Sequence, residues 1–143
     1  MLVSDILKTK GSNIVTVAPD TPVSQAVATL AEKRIGCIVV TTDGGALAGI
    51  LSERDVVRVL AAQGGDVLDE PVSALMTSKV VTCTPKQTIA DVMEMMTTGR
   101  FRHVPVLEEG RLAGMVSIGD VVKFRLEETE EEVRQLAAYV AGG

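Results

Sequence analysis

Aromatic side chains are nearly absent from this 143-residue chain, which has no Trp, one Tyr and two Phe. Without rings to stack on, a surface for single-stranded nucleic acid is excluded. A surplus of cations is missing too. Lys and Arg number 14 against 19 Asp and Glu, giving a net charge of −5, so no phosphate backbone is neutralised along the chain. The single histidine, His103, supports neither a His-centred catalytic pair nor a multi-His metal site. The two cysteines, Cys37 and Cys83, lack metal-ligand spacing and sit among β-branched neighbours, which reads as buried, reduced thiols. No stretch approaches the roughly 20 apolar residues of a membrane span, and Met1 to Lys10 has no signal-peptide pattern. The expectation is a soluble, cytoplasmic protein with neither nucleic acid nor membrane as partner. No nucleophile with a base, no dense carboxylate pair and no metal set stands in the sequence, so no catalytic or metal residues are assigned and an enzyme is not expected.

What is present is aliphatic bulk, 46% apolar residues, arranged as a duplication. Val15-Thr16-Val17-Ala18-Pro19 returns as Val81-Thr82-Cys83-Thr84-Pro85, 66 positions on. Val23, Ala26, Val27 and Leu30 match Ile89, Val92, Met93 and Met96 at the same offset, and Arg34-Ile35-Gly36-Cys37 matches Arg100-Phe101-Arg102-His103. One residue drops out where Gly44-Gly45 faces Gly110. The offset is then 65, and Leu47-Ala48-Gly49-Ile50-Leu51-Ser52 matches Leu112-Ala113-Gly114-Met115-Val116-Ser117. The lead-ins agree as well, Val3-Ser4-Asp5-Ile6-Leu7 with Val72-Ser73-Ala74-Leu75-Met76. A period this long marks a structural unit written twice.

Each unit reads as strand, helix, strand, strand, helix, an α+β pattern. The first strand is the β-branched run ending at Pro19 or Pro85. The first helix carries an i, i+3, i+4, i+7 apolar stripe, and in repeat one Thr21 is its expected N-cap with Pro22 at the first helical position. Cys37 to Thr41 and Ala46 to Leu51 flank Asp43-Gly44-Gly45, a hairpin signal. His103 to Leu107 and Arg111 to Val116 do the same around Glu108-Glu109-Gly110. A unit of about 65 to 70 residues buries its faces poorly by itself, so the two repeats are expected to pair about a pseudo-twofold axis.

The chemical signal lies at the second strand-to-helix turn of each repeat. Gly49-Ile50-Leu51-Ser52-Glu53-Arg54-Asp55 and Gly114-Met115-Val116-Ser117-Ile118-Gly119-Asp120 share Gly–x–x–Ser–x–x–Asp. A helix N-terminus offers unpaired N–H groups to a ligand, and an aspartate in the first turn can accept both hydroxyls of a ribose. The bland alternative is a helix-stabilising capping box. Two copies in matching positions favour the ligand.

These turns, the Phe101-Arg102-His103-Val104-Pro105-Val106 strand entry and the Val–Ser–x–x–Leu/Met lead-ins resemble a CBS-domain pair (Bateman module) over about residues 3 to 125. The resemblance implies tandem CBS repeats: repeat 1 with its lead-in over 1–66, repeat 2 over 67–126, and a C-terminal helical extension over 127–143. It further implies an adenine-nucleotide ligand held in clefts between the repeats: AMP first, then ATP, ADP or NAD, with S-adenosylmethionine also known in the family. In one site Asp55 is to hold the ribose beside Ser52 and Ile50, with Val81 near the base and Arg102 and His103 toward phosphate. In the other, Asp120 takes the ribose beside Ser117 and Met115, with Val15 near the base and Arg102 and Arg54 toward phosphate. There Gly36-Cys37 stands in the place of Arg102-His103, so the second site is the less cationic. A homodimer serving an unidentified effector protein is the implied assembly. The alternative is a constitutive oligomerisation or docking scaffold with empty clefts.

Two features lie outside that frame. Met93 and Met96 take core positions, whereas Met95 falls off the stripe and suits a subunit interface. After Asp120 the helix is expected to run to about Val140, through the acidic run Glu127 to Glu132. Val133, Leu136, Ala137 and Val140 then restore an apolar stripe, to be covered by self-association or by docking on the same chain.

Overall fold

The structure is a computed structural model describing residues 1–142. In chain order the elements are α1 (Val3–Lys10), β1 (Thr16–Val17), α2 (Val23–Lys33), β2 (Cys37–Thr41), β3 (Leu47–Ser52) and α3 (Glu53–Gln63). Short 3-10 turns at Gly65–Asp69 and Val72–Ala74 follow, then α4 (Ile89–Gly99), β4 (His103–Glu108), β5 (Arg111–Ser117) and α5 (Ile118–Gly142). The α+β reading of two like repeats holds. β1 pairs parallel with β2 and β2 antiparallel with β3, while β4 and β5 form a second sheet.

Packing does not follow chain order. One compact unit comprises Met1–Ser12, Thr82–Glu108 and Ala113–Gly143, the other Asn13–Val81 and Glu109–Leu112. The lead-in of repeat one therefore packs with the body of repeat two, and the reverse holds in the other unit. The backbone shows the exchange twice at matching positions: Leu2 bridges Thr88, and Pro71 bridges Pro22. Val3 donates its N–H to the Gln87 carbonyl at 2.9 Å, and Val72 donates to Thr21 at 2.8 Å. Val3 and Ile6 are buried with Ile89, Val92 and Met96 in the first unit. Val72 and Leu75 are buried with Val23, Ala26 and Leu30 in the second.

This pairing moves the start of α2. Thr21 spends its carbonyl on Val72 and Pro22 stays extended, so Pro22, not Thr21, is the N-cap and carries no side-chain cap bond. In α4 the matching position is Thr88, whose hydroxyl accepts the Asp91 N–H at 3.0 Å. Both helices end on an arginine in the left-handed region, Arg34 at φ 53° and Arg100 at φ 56°.

The first strand of repeat two is also reduced. In repeat one, Val39 donates to the Val15 carbonyl at 3.1 Å. Its counterpart 66 positions on is Pro105, which has no N–H to give. The expected strand ending at Pro85 therefore shrinks to one parallel bridge between Cys83 and Val106. Met95 does not stand free either. It packs partly buried against the first unit's core, with Gln87 Nε2 at 3.8 Å from its sulfur.

The glycine opening each Gly–x–x–Ser–x–x–Asp turn lies under a lead-in. A Cβ at Gly49 would meet the Thr77 carbonyl oxygen at 2.7 Å and the Met76 sulfur at 2.8 Å. At Gly114 it would meet Leu7 Cδ2 at 2.6 Å. Leu7 and Met76 are themselves repeat-matched, so both repeats use the same contact. Gly49→Ala is expected to destabilise by on the order of 1–3 kcal/mol through overpacking. Gly114→Ala should cost less, because a flexible Leu end yields where a carbonyl does not. Urea midpoints of the two variants test this, and an equal or reversed order would refute the contact as its source.

Candidate functional site

The turn after β3 and the turn after β5 are built alike. Ser52 is the N-cap of α3: its Oγ accepts the Asp55 N–H at 3.1 Å, and Asp55 Oδ2 accepts from Ser52 N at 3.1 Å and Ser52 Oγ at 2.9 Å. Ser117 and Asp120 repeat these bonds at 3.2, 2.9 and 3.0 Å. The capping box is therefore real in both copies, and it pins one carboxylate oxygen so that the direction of the other is set. The strand-entry residue also meets each helix start. Gly36 accepts the Glu53 N–H at 2.9 Å, and Arg102 accepts the Ile118 N–H at 2.8 Å.

Each turn thus collects some of the expected residues. Ser52, Asp55, Ile50, Gly36 and Cys37 lie together in one unit, Ser117, Asp120, Met115 and Arg102 in the other. Ile50 and Met115 are half-buried on β3 and β5, His103 is half-buried at the start of β4, and Arg54 and Arg102 are exposed. Val15 is half-buried and Val81 exposed. Cys37 is buried within the sheet. Burial pushes its thiol up to about 12, the Asp55 charge adds to the effect, and a backbone bond at Ile38 opposes it. Burial alone pushes Cys83 up to about 11. Both are free, buried cysteines whose raised values favour the neutral thiol at physiological pH.

The two aspartates differ in their cationic neighbours, which the sequence reading missed. Arg58, one turn along α3, reaches Asp55 Oδ1 at 3.0 Å from a largely exposed position. Asp120 is met from another element: Lys10, the last residue of α1, places Nζ 2.7 Å from Oδ2 and 2.9 Å from the Met115 carbonyl. A signal existed. The lead-in offset of 69 that takes Val3 to Val72 also takes Lys10 to Lys79, so this lysine belongs to the repeat.

The pattern that defines the CBS domain matches residues 3–62 and again 72–127. This chain belongs to the CBS-domain family. It is 38% identical, over 99% of its length and 72% of the relative's, to the CBS domain-containing protein CBSX3, mitochondrial, of Arabidopsis thaliana. Among solved structures it is similar to the CBS-domain containing protein ATU1752 from Agrobacterium tumefaciens, with 51% identity, a TM-score of 0.84, and 87% of this chain and 92% of that one covered. It is also similar to the CBS domain protein PAE2072 from Pyrobaculum aerophilum complexed with AMP, with 26% identity, a TM-score of 0.75, and 84% and 89% covered. No helix among the described residues is long and apolar enough to cross a membrane.

Partial burial works to raise the Asp120 carboxyl. The Lys10 hydrogen bond, the Ser117 N–H, the Lys10 charge and the Ser117 hydroxyl outweigh it and hold the group below its ordinary value. A carboxyl depressed in the folded state adds stability that is complete above its unfolded pKa and is lost as pH falls through the folded one. Lys10→Met should therefore lower the urea midpoint near neutrality and flatten its fall between about pH 5 and pH 3. An equally steep acid limb in the variant would show that the bridge is not its origin.

Proposed function

We propose that this chain is a regulatory module that binds an adenine-containing ligand, with AMP the first candidate and ATP, ADP or NAD after it. The observation that carries the reading is the duplicated box, a capped aspartate held in one direction at two repeat-matched helix starts. Pinning Oδ2 to Ser52 or Ser117 leaves Oδ1 for ribose hydroxyls, which at Asp55 displace the largely exposed Arg58. Asp55 and Asp120 take ribose, with Ser52, Ile50, Ser117 and Met115 beside the nucleoside and Val15 and Val81 toward the base. Arg102, His103 and Arg54 serve phosphate, and arginine suits that role through paired hydrogen bonds. The AMP complex of PAE2072 supports the ligand class.

The ligand acts by differential affinity for two arrangements of the protein, shifting their populations. An effector protein reads that shift from a homodimer in the reducing cytoplasm, a setting suited to two free thiols. Binding and not turnover is the output in this reading.

Thermal denaturation with AMP, ADP, ATP, NAD and S-adenosylmethionine tests the reading. A ligand at one hundred times its Kd stabilises the native state by about 2.7 kcal/mol per site, and at least one of the five should raise Tm. No shift with any of them at millimolar concentration would leave a constitutive scaffold instead. Calorimetric titration of Asp55→Asn and Asp120→Asn, which keep an oxygen for the capping box, should each show one site fewer than the wild type. Unchanged stoichiometry in both would remove the ribose assignment.

A further inference from the structure

Helix α5 buries Val121 and Phe124 in its own unit, where it packs against α1 and α4. A different face carries Val122, Leu126, Thr129, Val133, Leu136 and Val140, all exposed, with Leu126 at 58%, Val133 at 62%, Leu136 at 64% and Val140 at 72%. Their steps of four, three, four, three and four residues alternate as the a and d positions of a coiled-coil seam do. With Val122 at d, the a positions are Leu126, Val133 and Val140 and the d positions Val122, Thr129 and Leu136. Phe124 and Val121 then fall at f and c, turned toward the chain's own core. The seam therefore points away from the core of its own unit.

We infer that this seam is covered by α5 of a second copy, in a parallel two-stranded coiled coil running from Val122 to Val140, about 27 Å at 1.5 Å per residue. Charge selects both partner and direction. In parallel register the g-position Arg125, which also pairs with Glu128 of its own helix, faces the e-position Glu130 of the other helix, opposite in sign, and the twofold axis makes that pair twice. Glu132 at g faces Ala137 at e, which is neutral. In the antiparallel alternative that sets Val122 against Val140, Glu130 meets Glu130 and Glu132 meets Glu132, like charges at the centre. Val133 at a and Leu136 at d favour two strands over three or four. The acidic residues along the same helix, Glu127, Glu130, Glu131 and Glu132, disfavour an anionic membrane surface as the occupant.

This assigns a surface to the homodimer proposed above and rests on that part of it, not on ligand binding. Light scattering on the full chain at hundreds of micromolar should give twice the 15.1 kDa of one copy. The doubly substituted V133E/L136E, altered only at exposed positions, should give the mass of one copy with its circular dichroism preserved. A wild-type monomer would overturn the dimer and the seam together. A dimer that survives V133E/L136E would keep the dimer and overturn the seam. Orientation is read separately by V133C, because parallel register sets residue 133 beside its own copy, within disulfide reach. An interchain disulfide is expected on oxidation of V133C alone. Cross-linking that needs V133C mixed with T129C would overturn the parallel arrangement.

Discussion

The rest of the architecture depends on a lead-in lying across a glycine. Met76 and the Thr77 carbonyl cover Gly49, and Leu7 covers Gly114, at distances no Cβ would tolerate. That contact ties a segment from one end of a repeat to the strand of the other repeat, just before the turn that bears the boxed serine and aspartate. The backbone pairing of Ile50 with Thr77, 3.1 Å from N to O and 2.9 Å in return, is the extension of it in one unit. Lys10 at Asp120 is its extension in the other. The glycine is thus a packing requirement three residues upstream of the serine of the capping box, and the motif joins both in seven residues.

Equivalence between the repeats breaks at particular atoms. Pro105 withholds the hydrogen bond that Val39 gives, so repeat one has a paired first strand and repeat two a single bridge. The carboxylates diverge as well. Asp55 is met by an arginine of its own helix that stands mostly in water, where an ion pair contributes little. Asp120 is met by a lysine from α1, whose reach to a backbone carbonyl couples the end of the lead-in to the site. A ligand engaging Asp120 has to compete with or accommodate Lys10, and so acts on the segment around Gly11. No such link exists at Asp55 through Arg58, which belongs to the same helix as the aspartate it binds. Two copies of one motif thereby acquire different mechanical connections.

Much of this was legible in the residues. The repeat offsets located the apolar pattern of the five strands, helices α2 to α5 and both Ser–x–x–Asp turns, because side-chain periodicity and capping are local properties, whereas α1, in the lead-in, was not read as a helix. The exchange of lead-ins was not legible, since a duplicated sequence says nothing about which copy of a segment packs on which body. Thr21 failed as a cap for the same reason: its carbonyl was committed to Val72, 51 positions away. Lys10 was overlooked because a lysine at a helix end is ordinarily a solvated charge complementing the dipole. Its match with Lys79 sat in the sequence, but only its 2.7 Å approach to Asp120 gave the match a meaning.

The C-terminal helix shows how one element serves two masters without conflict. Its first turn belongs to the aspartate box, its c and f positions to the core of its unit, and its a and d positions to neither. A 3.6-residue helix keeps these faces apart for two or three turns, and beyond Glu128 the core no longer makes a claim. From there on the sequence is free to suit a second helix, and valine and leucine at a and d are the residues that would do so. Asp120 and Val122 lie on the same continuous helix, so a rotation of α5 imposed at the aspartate would be carried along the helix axis to its far end. A seam on that rod is where a change at the carboxylate would become a change in how two copies meet.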